Sequence, residues 1–308
     1  MTDTPVPASP PGAPLSMPRD SIRRRLAASL YGRPRLRLSL LLAAPLGWLL
    51  VAYLGSLAVL LLSAFWRLDP FTSTIVREPS LDNFATLAGN PVYRTITLRT
   101  VGFAAAVTVT DALIAFPIAY YMARVAGSRT RGLLLVSILL PLWSGYLVKV
   151  YAWRVILLEQ GLLNAVLEPF GLKGPGLGDV ATWMVFSYLW LPFMILPIYA
   201  GLERIPRSLL EASSDLGARG GTTFRRVILP LALPAVAAGS IFTFSLTLGD
   251  YITPALVSGG TQFIGNVVYA NVGVAGDLPF AAAFATVPVV IMVIYLLLVR
   301  RMGAFESL

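Results

Sequence analysis

Residues 203–226 read ERIPRSLLEASSDLGARGGTTFRR, a polar segment set between two stretches that carry no charge, Val180 to Leu202 and Val227 to Gly249. The segment has local order of its own. Pro206 suits the first turn of a helix, and Ser208 and Glu211 stand at capping-box spacing. Leu209, Ala212 and Leu216 recur at i, i+3 and i+7, the signature of one apolar stripe on a helix. Gly217 can take a positive φ and end that helix. Thr222 or Thr223 can cap a second short helix through Phe224, Arg225, Arg226 and Val227, with Pro230 closing it. The expected shape is a short helix, a glycine elbow and a second short helix. Periodicity alone leaves two uses open for it: a connector on the lipid surface, or a knob that docks in a partner's groove.

Working outward, the same alternation of charge-free stretch and charged boundary repeats along the chain. Of 308 residues, 56% are hydrophobic and 13% charged, about half the charge of an ordinary soluble domain at ~25%. The uncharged stretches place six expected membrane spans at about 39–65, 100–123, 132–153, 180–202, 230–250 and 278–299, each about long enough to cross ~30 Å of hydrocarbon as a helix. Within the second, only Asp111 is charged. Tyr251 to Gly276 is also uncharged, but its glycines, Pro254 and polar residues argue against one straight span; it reads as an external loop with a short interfacial or re-entrant segment. Residues 150–179 read as an external amphipathic turn. Residues 1–37 form a Pro/Arg-rich tail expected to be disordered, leaving 38–308 as the membrane domain.

Charge sets the orientation. Six spans with both termini in the cytoplasm put 17 of the 24 Lys and Arg residues inside and seven outside, as the excess of basic residues in cytoplasmic loops requires. The net charge of +9 resolves into +11 inside, zero outside, and the two acids Asp111 and Asp250 at or within the membrane. It therefore reads as an orientation signal rather than a nucleic-acid footprint. The zeros exclude further classes. Without Cys or His there are no disulfides, no Cys/His metal sites and no His-dependent triads. Only Lys149 and Lys173 are present, preceded by Val148 and Leu172, so no phosphate-binding loop with its Gly-Lys pair exists. Any ATP would be bound by another chain.

Several residues could carry chemistry or only architecture. Pro141, Pro192, Pro197, Pro230 and Pro234 lie in or near expected helices, where each is a packing kink or a hinge lining a solute path. An ionisable group within a span usually faces a bundle interior or a water path. Asp111 and Asp250 are the two such acids. Trp143, Tyr146, Tyr151, Trp153 and Tyr251 could add cation–π faces or form an interface belt.

Two resemblances sharpen this reading. Glu211-Ala212-Ser213, Gly217 and Val227-Ile228-Leu229-Pro230 resemble the EAA loop of ABC importer permeases, whose pattern is E-A-A, three residues, G, nine residues, I-x-L-P. Ser213 and Val227 depart mildly from it. The resemblance implies an all-α polytopic permease of the type I ABC importer kind, with residues 203–230 as its coupling loop. It implies that Glu211, Ala212, Asp215, Gly217, Phe224, Arg225, Leu229 and Pro230 engage a cytoplasmic ATPase dimer. ATP and Mg would be bound there, with no cofactor on this chain. A second permease subunit, identical or different, and an external solute-binding protein would complete the complex in the inner membrane. Gly249 to Gly260, followed by Ile264-Gly265-Asn266, is similar to the corresponding segment of spermidine/putrescine permeases. That resemblance implies a polyamine solute, or another small cationic or amino-acid-like one, with Asp250, Tyr251, Asp111, Trp143 and Tyr146 offered to the path. Competing classes are a stand-alone secondary transporter, which usually carries more intramembrane charge and an inverted repeat, an intramembrane enzyme, and a structural membrane protein.

Overall fold

The computed structural model describes residues 34–300. The expectation of a disordered tail lies outside the described residues for positions 1–33; the helix that follows already begins at Pro34. Among the described residues, five helices are long and apolar enough to cross a membrane: α1 (Leu41–Ser63), α3 (Pro91–Val125), α7 (Asp179–Arg204), α9 (Gly220–Gly249) and α12 (Leu278–Arg300). Between them lie α2 (Asp82–Gly89), α4 (Ser128–Trp143), α5 (Tyr146–Leu157), α6 (Leu162–Leu167), α8 (Arg207–Asp215), α10 (Ile252–Val257) and α11 (Ile264–Ala275).

Three differences from the sequence reading have local causes. The span expected over 132–153 is broken: α4 and α5 are bent by 95° at Ser144 and Gly145, where the backbone turns extended. The absence of charge from Gly132 to Val148 reports hydrophobicity but not continuity. Next, α3 starts nine residues before the expected 100, because the Asn90 side chain accepts a hydrogen bond from Val92 N–H and Pro91 occupies the first helical turn. Arg94 and Arg99 lie inside this helix near one end, a position from which long cationic side chains reach the interface. Finally, the all-α expectation has one small exception, a two-stranded ladder of two residues each, β1 (Arg67–Leu68) and β2 (Ile75–Val76).

α3, α7 and α9 form the packed centre. Their apolar windows are 28%, 56% and 50% buried, whereas none of the window of α1 is. Small residues make the close approach possible: Ala104, Ala115 and Ala119 on α3, and Ala232, Ala235, Ala237 and Ala238 on α9, are all buried. The larger fillers Val185, Phe186, Leu189, Met194 and Ile198 come from α7. α12 lies against α9 through Tyr295, whose ring stacks on Phe244 at 4.2 Å and whose hydroxyl bonds Ser240 Oγ at 2.7 Å. Pro192, Pro197 and Pro234 all sit inside helices of this centre.

Candidate functional site

At one end of the bundle, α8 stands between α7 and α9 as a short amphipathic helix. Glu211, Ala212 and Asp215 are exposed, as are Leu209 (43%) and Leu216 (87%). Leu210 turns inward onto the cluster of Ile198, Leu202, Ile205 and Ile228. The stripe of Leu209, Ala212 and Leu216 is thus on the outside, flanked by two carboxylates. Gly217 has φ +75°. Its N–H bonds Ser214 O at 2.8 Å, and Ala218 N–H bonds Ser213 O at 3.0 Å. This pair of bonds is the Schellman motif, which needs the left-handed residue that glycine supplies at little cost. Ser213 Oγ and Thr223 Oγ1, 2.9 Å apart, close the elbow.

The expected capping box is not formed: Pro206 is the N-cap residue of α8, and no side chain caps it. The second short helix is not separate either. α9 starts at Gly220, winds a π-turn over Phe224–Ile228 and runs on through Leu229 to Gly249. Pro230 does not stop it. The proline lies just past the π-turn, and its missing N–H removes one helical hydrogen bond from the preceding turn. Phe224 faces inward, edge-on to Phe116 (5.6 Å, 86°) and Tyr120 (6.1 Å, 84°) of α3. Arg225 is exposed and Leu229 half-buried.

In the centre, Asp111 is fully buried. Neither carboxylate oxygen has a hydrogen-bond partner among the described residues, and Ser187 Oγ on α7, which approaches it, is also unpartnered. One turn earlier, Thr108 receives Thr243 Oγ1 of α9 at 3.3 Å.

At the far end of α9, about 45 Å along the helix axis at 1.5 Å per residue, Asp250 is the hub of a closed network. Oδ1 accepts Ile252 N–H at 2.8 Å and Thr253 N–H at 3.2 Å. Oδ2 accepts Thr253 Oγ1–H at 2.8 Å and the hydroxyl of Tyr146. All four lone-pair positions of a carboxylate are therefore used within the protein. Asp250 caps α10 and ties it to α5. The Tyr146 ring stacks on Trp190 at 6.0 Å, and Tyr251 stacks on Tyr269 at 4.7 Å. Gly265 sits so close beneath this turn that a Cβ there would lie 3.0 Å from the Asp250 carbonyl. Trp143, at the bend between α4 and α5, is 91% exposed.

The structure thus gathers the residues of the 203–230 loop at one end, with Phe224 turned inward onto α3 rather than out toward a partner as expected, and Asp250, Tyr146 and Tyr251 at the other. Asp111 lies in a third place between the central helices. Sequence reasoning missed Arg124, Arg131 and Thr253. In the sequence the two arginines read as orientation charges, and Thr253 reads only as part of the Gly249–Gly260 motif. A concavity of about 790 Å³ between α5 and α7, lined by Glu159, Asn164, Glu168 and Lys173 among others, holds none of the expected site residues.

This arrangement has known counterparts. Residues 115–304 match the family model described as binding-protein-dependent transport system inner membrane component. The chain belongs to that family. It is an inner-membrane permease subunit of an ABC importer, a multi-pass protein. The permease is 45% identical over 299 residues to the inner membrane ABC transporter permease protein YdcU of Escherichia coli, covering 92% of this chain and 95% of that one. It is 30% identical over 261 residues to the spermidine/putrescine transport system permease protein PotB of the same organism, covering 83% and 94%. Its fold is similar to a chain in the crystal structure of a bacterial alginate ABC transporter in complex with alginate pentasaccharide-bound periplasmic protein. The TM-score is 0.71 at 15% identity, over 92% of the permease and 98% of that chain. At that identity the likeness is one of fold.

Proposed function

We propose that this permease carries a small cationic solute, a polyamine such as spermidine or putrescine, from an external binding protein to the cytoplasm. A dimer of cytoplasmic ABC ATPases, binding ATP and Mg²⁺, would dock on α8 and the Gly217 elbow and drive the movement. A second permease subunit would complete the path. The observation that carries the coupling part is α8 itself. Its inner face is held by Leu210, while Leu209, Ala212 and Leu216 are turned outward beside Glu211 and Asp215. An exposed leucine ridge rimmed by charge is the form of a helix awaiting a partner's groove. Both termini then lie in the cytoplasm, in accord with the distribution of Lys and Arg.

The solute part is supported by the similarity to PotB and by residues 249–266. Trp143 and Tyr251 are exposed and offer aromatic faces to an ammonium group. Asp250 and Tyr146 reach a solute only by giving up one of their mutual bonds, and Asp111 only when the central helices part. A second reading, another small amino-acid-like or cationic solute, is favoured by that same full use of the Asp250 carboxylate, which takes an acid away from cation recognition. The test is purification of the permease from solubilised membranes with its associated subunits, followed by uptake of radiolabelled putrescine and spermidine in proteoliposomes supplied with the external binding protein. A co-purifying ATPase and ATP-dependent uptake are expected. Absence of the ATPase overturns the coupling reading; ATP-dependent uptake of neither polyamine overturns the solute reading.

A further inference from the structure

The segments that lead into and out of α8 are both held by one piece of the chain, the last turns of α3 with the start of α4. On the incoming side, Arg124 Nη2 donates to the carbonyl oxygens of Leu202 at 2.5 Å and Ile205 at 2.8 Å. These belong to the end of α7 and the two-residue link to α8, where helix carbonyls have no intrahelical partner. A single nitrogen, Nη2, spans both carbonyls, while Nε is buried without a hydrogen-bond partner among the described residues. Arg131, at the start of α4, completes the grip. Its Nε donates to Met122 O at 3.1 Å, and its Nη1 pairs with Glu203 at 3.3 Å; Glu203 also accepts Tyr199 O–H at 3.2 Å. On the outgoing side, Phe224 is wedged edge-on against Phe116 and Tyr120. Ile205, Met122 and Ile228, which back these contacts, are all buried. The holding segment Tyr121–Val125 of α3 and the held segment Phe224–Ile228 of α9 are both wound as π-turns, a form frequent at functional sites.

We propose that Arg124 and Phe224 are positioning residues for coupling, and that they make α8 and the end of α3 one rigid unit. A push on α8 is then received first by α3, the helix that carries Asp111 and packs along both α7 and α9. The assignment rests on the reading of α8 as the ATPase-docking helix. The clamp itself can be tested apart from that reading.

The chain has no cysteine, so spin labels can be placed cleanly at Leu216→Cys on the exposed end of α8 and at Gly127→Cys, just past the end of α3, where an added Cβ meets nothing within 4 Å. The 127–216 distance is measured by pulsed electron resonance in the solubilised permease, then in the complex with and without trapped ATP. With Arg124 present, one narrow distribution is expected, shifting by less than about 2 Å between nucleotide states, the scale of an ordinary helix adjustment. In Arg124→Gln the distribution should broaden or shift by up to about 5 Å, a one-turn slip, while the amount of co-purified ATPase stays the same and solute moved per ATP falls at least tenfold. Arg124→Lys should fall between.

A wide distribution in the Arg124-containing permease overturns the rigid unit. So does an Arg124→Gln protein with unchanged distance and transport ratio, or one in which hydrolysis and transport fall in equal proportion. If Arg124→Gln does not fold, the distance in the Arg124-containing permease, with and without nucleotide, still decides. If no ATPase co-purifies with the unsubstituted permease, the docking reading fails, and the distances in the solubilised permease still report on the clamp.

Discussion

The two ends of α9 are built on opposite principles. At the coupling-loop end, the carboxylates of Glu211 and Asp215 are exposed and the apolar ridge faces outward, while the fixing contacts lie behind them. At the other end, the carboxylate of Asp250 is consumed by Ile252, Thr253 and Tyr146, and aromatic pairs cover the turn. One end leaves its polar groups exposed; the other uses them to hold short helices α10 and α11 in place. An acid near a membrane boundary is thus not by itself a solute ligand. Whether its lone pairs are already taken decides.

The contrast can be broken at either end. The largest effect is expected from Gly217→Val. A β-branched residue at φ +75° costs roughly 1–2 kcal/mol or more and opens the Schellman turn that aims α8. ATP-coupled uptake should be lost while membrane insertion, followed by protease protection and yield, stays normal; normal uptake by this variant would show that the elbow does not transmit. At the other end, Asp250→Ala strands Tyr146 and Thr253 and uncaps α10. It should lower stability by about 3 kcal/mol, from several lost bonds to a charged acceptor, read as a fall in the temperature of half-aggregation. Asp250→Asn keeps some of these bonds and should lose less. If Asp250→Asn instead leaves stability intact but abolishes putrescine and spermidine uptake, the carboxylate is a solute ligand after all, and the contrast fails.

Gly265→Val is expected to have a smaller effect, about 1–3 kcal/mol of overpacking where a Cβ already meets the Asp250 carbonyl and Tyr251 at 3.0 Å. It should destabilise without altering solute preference, which thermal unfolding and competition between putrescine and spermidine check together. The smallest effects belong to Glu211→Gln and Asp215→Asn. Exposed charges contribute about 0.2–1 kcal/mol each to a contact and are screened by salt. Each should weaken ATPase retention a few-fold at low ionic strength and hardly at all at high salt. A loss of retention that ignores salt would point to the ridge of Leu209 and Leu216 instead.

Much of the fold was legible because a bilayer leaves few choices: an uncharged stretch of ~20 residues must be helical. The same logic failed where continuity depended on local backbone chemistry. Ser144 and Gly145 break a stretch that hydropathy joins, and Asn90 with Pro91 starts α3 before its first charge. At the site, Gly217 and the outward stripe of α8 were readable, since spacing and glycine position are local properties. Phe224 was not. Nothing in its neighbours says that its ring turns toward Phe116, more than a hundred residues earlier. Arg124 was hidden more completely, because an arginine at the end of a span already has an explanation as an orientation charge.

What the sequence by itself determined is therefore the medium, the helical class, the turn at Gly217 and the lack of a Gly-Lys phosphate-binding loop. Each follows from composition, period or the allowed conformations of a single residue. Only the tertiary structure decided how the polar groups are spent. It closed the Asp250 carboxylate on Tyr146, left Asp111 without a hydrogen-bond partner among the described residues, and set Arg124 on the Leu202 and Ile205 carbonyls that lead into α8. Those outcomes depend on which helix faces meet, and side chains more than a hundred positions apart share a neighbourhood only once the helices pack.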